Sequence, residues 1–241
     1  QPIIPLKNAD DPRKYFEILL RKIDVHGRIY LPMAFIPAAE RYLLMSSIDR
    51  WVIRNTFAEY RKLMDQLGGA SDCIFTINLS GVSLSDKTLL GFIREQFSIY
   101  AVPPQSICFE ITETSAIVNM SNTLDLMNAL KAMGCRFMLD DFGSGMSSFA
   151  YLKNLPVDFL KIDGTFVRDI ATNLVDLAMV QSIHSIANAM KIKTIAEFVE
   201  TATVLPILES IGVQYAQGYY VGTEIPVEEL LQREFTDAAS V

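Results

Sequence analysis

The stretch Arg136-Phe137-Met138-Leu139-Asp140-Asp141-Phe142-Gly143-Ser144-Gly145 ends an apolar run at two adjacent carboxylates and follows them with a glycine-rich turn. Side chains alternate across a strand, so both acids reach one target only where the backbone bends, and Gly143 and Gly145 permit a bend. Two carboxylates about 4 Å apart repel by about 1 kcal/mol in water and by several-fold more in a less polar cleft. A cation between them turns that repulsion into affinity, which makes the pair a candidate divalent-metal site. Taken alone, the same pair fits an Asx turn with both acids solvated.

The pattern recurs. Asn78 ends the run 73–78, Glu110 and Glu113 close 107–113, Lys161 and Asp163 close 159–163, Glu197 and Glu200 lie in 194–200, and Gln217 follows Tyr215-Ala216. Solvated strand ends do not account for a charged or amide side chain after each of these separate apolar runs. Hard oxygen ligands without histidine or thiolate suit magnesium or manganese rather than zinc. The two histidines stand apart from the pattern: His26 precedes Gly27 in a predicted turn and His184 lies in a predicted helix, so core or surface roles fit them better than general-base catalysis.

These residues need elements to place them. Strands are predicted at 15–22, 73–79, 106–112, 136–141, 159–163, 193–199 and 214–221. Helices are predicted at 32–67 with a break near Ser46-Ser47, and at 83–100, 123–133, 171–190, 201–211 and 227–235. In the fourth of these, Val175, Met179, Ile183, Ile186 and Met190 recur three or four residues apart, which marks one buried face. Met127, Met133, Met179 and Met190 read as core packing, Trp51 as a buried anchor, and Arg54, Glu59, Arg61 and Lys62 as a solvated helix face. Short strands that are apolar on consecutive positions and separated by helices belong to a parallel sheet covered by helices. About seven or eight such units favour an α/β fold closed as a TIM-like β/α barrel, with allowance for one irregular or antiparallel strand. The polar residues then fall at the carboxyl ends of the strands, where such barrels carry their chemistry. A doubly wound open sheet is second, because no glycine-rich dinucleotide fingerprint follows the first strand.

Composition narrows the field. The chain has 241 residues, half of them hydrophobic, enough for one domain with a large core. Its net charge of −7 and its lack of a basic stripe argue against duplex nucleic acid as a partner. Cys73, Cys108 and Cys135 sit in or beside apolar runs, as expected of buried reduced thiols in a cytoplasmic protein. No apolar run reaches the length of a membrane span, so no direct membrane contact is expected of this segment. Gln1 is expected to open a domain excised from a longer multidomain protein, one that can itself be membrane-anchored.

In order along the chain, Gln1-Pro2-Ile3, Glu17-Ile18-Leu19-Leu20-Arg21, Phe35-Ile36-Pro37-Ala38-Ala39-Glu40, Asp49-Arg50-Trp51, Ile77-Asn78-Leu79-Ser80, Glu110-Ile111-Thr112-Glu113, Asp140 to Gly145, Lys161-Ile162-Asp163, Ala196 to Glu200 and Gln217-Gly218-Tyr219 resemble the EAL domain family, whose phosphodiesterases linearise cyclic di-GMP. The resemblance spans nearly the whole chain and is specific as an ordered set. It implies two Mg2+ or Mn2+ ions, one held by Glu17, Asn78, Glu110 and Asp140 and the second by Asp140, Asp141 and Glu197. Two ions so placed activate a water and stabilise both oxygens of an in-line displacement. It further implies that Lys161, Glu197 and Glu17 are catalytic, with Lys161 orienting the water or neutralising developing charge. Arg21 would contact a substrate phosphate, Gln1 and Gln217 would face the ligand, Asp163 would line the site, and Glu113 and Glu200 would anchor the loop 142–148. A homodimer and regulatory domains in the same parent chain are the implied protein partners.

Departures from the family pattern are Ile18 for alanine, Lys22 for tryptophan, Ser144 for threonine, Met146 for tyrosine, Phe198 for glycine and Gln214 for aspartate. None removes a ligand, but the ring of Phe198 beside Glu197 bears on that carboxylate's placement. A non-catalytic cyclic di-GMP receptor is the alternative function; such receptors typically lose the signature glutamate or the aspartate pair, and here both are present. A pure interaction module would leave the acids without a purpose.

Overall fold

Strands β1 (Pro2–Pro5) and β2 (Lys14–Ile18) begin a barrel that closes through β5 (Cys73–Asn78), β6 (Ile107–Thr112), β7 (Arg136–Phe142), β8 (Phe159–Ile162), β9 (Lys193–Ala196) and β10 (Tyr215–Ala216). The computed structural model describes residues 1–11, 13–67, 73–118, 120–143 and 149–230. Strand order around the barrel is β1-β10-β9-β8-β7-β6-β5-β2, and β1 pairs β2 to close it. Six neighbour pairs are parallel, whereas β1 runs antiparallel to both β10 and β2. The one antiparallel strand allowed for is therefore β1, which the sequence reading did not place. A small hairpin, β3 (Lys22–Ile23) with β4 (Ile29–Tyr30), stands outside the barrel.

Burial on both faces explains the unbroken apolar runs. Outward-facing residues such as Phe75, Ile77, Phe109, Ile111, Phe137 and Leu139 join one large core under the helices. The helices are α1 (Ile36–Arg41), α2 (Met45–Gln66), α3 (Gly81–Leu84), α4 (Leu89–Tyr100), α5 (Glu113–Val118), α6 (Met120–Met133), α7 (Phe149–Leu152), α8 (Gly164–Val167), α9 (Leu174–Ala189) and α10 (Val204–Ile211). In α2, Ile53, Phe57, Tyr60 and Leu63 make the buried stripe, and Phe57 meets Phe97 of α4 at 4.7 Å between ring centroids. Inside the barrel a separate apolar layer consists of Ile3, Tyr15, Ile74, Cys108, Met138, Phe159, Ile195 and Tyr215. All three cysteines are buried and free.

Several expectations require correction. The strand predicted at 15–22 stops at Ile18, because Asp24 Oδ1 accepts from His26 N and Arg28 N and turns Lys22–Ile23 into the external hairpin. The break predicted at Ser46-Ser47 falls instead at residues 42–44. There Leu43 takes φ 57 and Leu44 N donates to Ala39 O at 2.8 Å, a helix stop usually signalled by glycine. Trp51 is 54 % exposed rather than buried, since two residues beyond Asp49 it points away from the stripe that α2 buries. Val175 and Met179 of the predicted buried face are likewise exposed, and α9 buries Val180, Ile183, His184 and Ala187 instead. The strand predicted at 214–221 shrinks to Tyr215–Ala216, because Gly218, at φ 150, turns the chain against Val199. Of the helix predicted at 227–235, residues Val227–Glu229 form a 3-10 turn and 231–235 lie outside the described residues. His184 is a core histidine whose Nδ1 pairs with Thr194 Oγ1 at 2.9 Å.

Candidate active site

Two residues past each member of the inner apolar layer, toward the carboxyl ends of the parallel strands, the barrel interior becomes polar. Tyr15 is followed by Glu17, Ile74 by Thr76 and then Asn78, Cys108 by Glu110, Met138 by Asp140, Phe159 by Lys161, Ile195 by Glu197 and Tyr215 by Gln217. Strand alternation makes this second layer inevitable once the first is fixed. Because β1 is antiparallel, its start lies at the same end, so Gln1 joins the layer. Its backbone nitrogen donates to Glu17 O at 2.8 Å.

Lys161 is the centre. Its Nζ, on a side chain 1 % exposed, lies 3.2 Å from Glu17 Oε2, 3.0 Å from Glu110 Oε2, 3.2 Å from Asp140 Oδ1 and 2.9 Å from Glu197 Oε1. Burial disfavours its charge, but Asp140, Glu110, Glu17 and Glu197 overcome burial and hold the ammonium well above its ordinary value. Asn78 Nδ2 donates to Glu17 Oε1 at 2.8 Å and Gln217 Nε2 donates to Glu17 Oε2 at 2.6 Å. Burial pushes Glu17 up, yet Lys161 and these amides outweigh it and the carboxyl sits below its usual range. Glu110 goes the other way, pushed up to about 8 by burial and by the charge of Glu17. Glu197 is also pushed up to about 8, by burial opposed by Lys161 and reinforced by Asp140.

The adjacent aspartates converge through a bulge. Register between β7 and β8 shifts between Leu139 and Phe142, and Asp141 takes φ 54. The bend expected at the glycines thus lies at Asp141 itself, and aspartate tolerates the left-handed region better than most residues. Gly143, at φ 100, continues the turn, whereas Gly145, Ser144 and Met146 lie outside the described residues. One carboxylate oxygen from each of Asp140, Asp141 and Glu197 lies within 4.8 Å of the others. Burial and the charge of Asp140 raise Asp141 above the usual carboxylate range. Among the described residues Asp140 Oδ1 is buried and makes no hydrogen bond, its facing group being the Lys161 ammonium at 3.2 Å.

Around this centre the other expected residues divide. Gln217 Nε2 also donates to Gln1 Oε1 at 3.0 Å. Arg21 lies farther out, donating to Leu20 O and pairing with Glu224 at 3.0 Å. It shares with Gln1, Glu17, Ile23, Ile29 and Glu224 a mostly apolar cavity of about 610 Å3. Asp163 caps α8, its Oδ1 accepting from Thr165 N at 2.7 Å, and its charge reaches Asp141. Glu113 accepts from Gly143 N at 3.2 Å, at the start of the loop after Asp141. Glu200 is exposed and contacts none of these groups among the described residues. Gln214 has a supporting role, its Oε1 accepting from Thr194 N and Oγ1.

Three contributors escaped the sequence reading. Thr76 donates its hydroxyl to Glu110, and its place two residues before Asn78 is the signal that could have found it. Asp49, buried on α2, accepts from Ser80 N at 2.9 Å and Ser80 Oγ at 2.6 Å, fixing the turn just after Asn78. Glu224, the partner of Arg21, lies in a segment without periodicity and left no signal.

Comparison with known proteins gives a consistent picture. The model of the EAL domain matches residues 1–224. The chain is 45 % identical over 227 residues to the cyclic di-GMP phosphodiesterase PdeB of Shewanella oneidensis, covering 94 % of this chain and 26 % of that protein. It is 36 % identical over 220 residues to the cyclic di-GMP phosphodiesterase PdeF of Escherichia coli, covering 90 % and 29 %. The chain therefore spans about a quarter to a third of the length of these curated relatives. Among solved structures, the PaMucR phosphodiesterase in complex with c-di-GMP superposes with a TM-score of 0.87 at 32 % identity, covering 96 % of this chain and 92 % of that one. The FimX EAL domain from Pseudomonas aeruginosa bound to c-di-GMP gives 0.84 at 31 % identity, covering 92 % and 88 %.

Proposed function

The chain belongs to the EAL domain family, and from that premise we propose that it hydrolyses one phosphodiester of cyclic di-GMP to give linear 5'-pGpG. What supports this reading is the meeting of Glu17, Glu110, Asp140 and Glu197 on one buried lysine, with Asp141 beside them. Five carboxylates against one ammonium make a set that suits divalent cations, and the buried Asp140 Oδ1, whose facing group is the Lys161 ammonium, fits a ligand atom. Glu17, Asn78, Glu110 and Asp140 would hold one Mg2+ or Mn2+ ion, and Asp140, Asp141 and Glu197 a second. Such ions, when bound, supply Lewis-acid stabilisation of the attacking and leaving oxygens.

The remaining work falls to the protein. Lys161, kept protonated by its four neighbours, stabilises negative charge that develops on the phosphoryl oxygens. Glu197, pushed up to about 8 without a cation, can take a proton from the attacking water only as the carboxylate, the form that a bound divalent ion would favour. Glu17 is held rigidly by Asn78 and Gln217, so its contribution is preorganised. Arg21 takes a phosphate, exchanging part of its contact with Glu224, while Gln1, Gln217 and Asp163 border the ligand. Glu113, whose carboxylate accepts from Gly143 N, would anchor the start of the loop after Asp141, a role also proposed for Glu200. Regulatory domains of the same parent chain, a homodimeric arrangement and a cytoplasmic setting complete the reading; among the described residues no helix is long and apolar enough to cross a membrane.

Purified protein incubated with cyclic di-GMP and Mg2+ or Mn2+, with products separated by chromatography, is expected to yield the linear dinucleotide. Binding of cyclic di-GMP without cleavage over hours would instead establish the receptor alternative.

A further inference from the structure

Phe198 occupies a position that stability does not explain. It follows Glu197 directly, takes φ 52, and remains 51 % exposed. The left-handed region is unfavourable for a bulky residue, and glycine would adopt it freely. Neither the backbone nor the burial of the ring favours phenylalanine here, and strain of this kind concentrates at functional sites.

The ring is nevertheless firmly seated. A Cβ at Gly164 would fall 2.1 Å from Phe198 Cδ2, so the ring rests against that backbone. Arg168, one turn later at the end of α8, places its guanidinium carbon 5.6 Å from the ring centroid. Gly164 and Arg168, one helical turn apart, both meet the ring, and about half of the residue remains open to solvent. Arg168 has no ion-pair partner among the described residues. Gly164 follows Asp163, whose charge reaches Asp141, and Phe198 follows Glu197. The ring therefore stands on the rim of the acid cluster, between the ends of β8 and β9.

We propose that Phe198, backed by Gly164 and Arg168, is a stacking platform for one purine base of the cyclic dinucleotide. The proposal rests on the reading of the site given above. A cyclic dinucleotide that presents a phosphodiester to the acids must carry its two bases outward, and every base offers a flat π-face to an aromatic ring. The Arg168 guanidinium, 5.6 Å from the ring centroid, helps to hold the ring in place through its attraction to the π-face.

The test is steady-state hydrolysis of cyclic di-GMP by the wild-type chain and by Phe198→Ala, Phe198→Leu and Phe198→Trp. Loss of one base–aromatic stack is expected to raise KM about tenfold in Phe198→Ala, with the loss appearing in KM rather than in kcat. Phe198→Leu keeps an apolar contact with Gly164 but lacks a planar face, so its KM stays raised, whereas Phe198→Trp restores it. An unchanged KM in Phe198→Ala, rescue by leucine, or a loss confined to kcat overturns the platform. If the wild-type chain cleaves nothing, the enzymatic reading falls, and calorimetric Kd values for cyclic di-GMP decide the platform by the same tenfold criterion.

Discussion

At this site metal binding and proton release should be one event. Glu110 and Glu197 are each pushed up to about 8, both by burial first, then Glu110 by Glu17 and Glu197 by Asp140 against the opposition of Lys161. A group with a pKa of about 8 is mostly protonated at pH 7 and mostly ionised at pH 9, so the pair holds between about one and two protons at the lower pH and few at the higher. Oxygen ligation requires carboxylates, and the protons must leave. Mn2+ titrated into metal-free protein, by calorimetry in buffers of different ionisation enthalpy, is expected to release between one and two protons at pH 7 and almost none at pH 9. Glu110→Gln, permanently neutral, should lower the release at pH 7 by about one. No release at pH 7, or equal release at both values, would refute the reasoning.

The same shifts set the sign of the pH dependence of stability. Both folded values lie above the ordinary carboxylate value of 4.5, so the folded state binds more protons than the unfolded chain between about pH 4.5 and 8. Their contribution is present at the acid side of that window and is lost as pH rises through it. Glu17, held below its usual range, contributes in the opposite sense, with stability present above about pH 4.5 and lost as pH falls through its depressed value. Two groups against one leave the metal-free protein less stable at pH 8 than at pH 5, and saturating Mn2+ should abolish most of that difference.

Two further outcomes follow from named contacts. Lys161→Met removes the only cation that Glu17, Glu110, Asp140 and Glu197 share among the described residues; urea unfolding at pH 8 without metal should show a loss of about 3–5 kcal/mol, smaller at pH 5 where the acids protonate. Unchanged stability at pH 8 would contradict the network. Asp49→Ala leaves the half-buried Ser80 N–H without its carboxylate and should cost about 1–3 kcal/mol in the same assay, while a loss under about 0.5 kcal/mol would show that the Ser80 turn holds without it.

What the sequence disclosed and what it hid have a common physical origin. Strands buried on both faces write their identity as continuous apolar runs, so β5, β6, β7 and β8 were legible to within a residue or two. β1 was not, because Pro2–Pro5 is a short strand with two prolines and its pairing depends on β2 and β10, which are distant in sequence. The helix stop at Leu43 was hidden because leucine there occupies a conformation that glycine would have announced. The polar layer was legible because each member ends an apolar run. Lys161 was recognised as a site residue, yet its four simultaneous ion pairs depend on barrel curvature, which no local pattern encodes. Glu224 and Asp49 were missed for the same reason: their partners lie 203 and 31 residues away.

The two ends of the barrel show why charge alone does not mark function. At the amino end Asp11 accepts from Arg13, Arg136 and Tyr15, Lys193 pairs with Asp10, and Lys131 pairs with Asp158. Cations there have acids of their own, and the clusters stabilise without needing a ligand. At the carboxyl end Glu17, Glu110, Asp140, Asp141 and Glu197 surround one lysine, two of them pushed up to about 8 and another raised by burial and then by its neighbour's charge. Folding tolerates that imbalance because protons fill it when no cation does. Glutamine at both Glu110 and Glu197 should therefore raise metal-free stability at pH 8 while weakening Mn2+ binding, since the cluster carries more negative charge than Lys161 alone compensates. Urea unfolding with and without Mn2+ reads both effects at once. A double variant that is less stable than wild type without metal and equally stabilised by it would mean that the acids are held by their hydrogen bonds rather than poised for a cation.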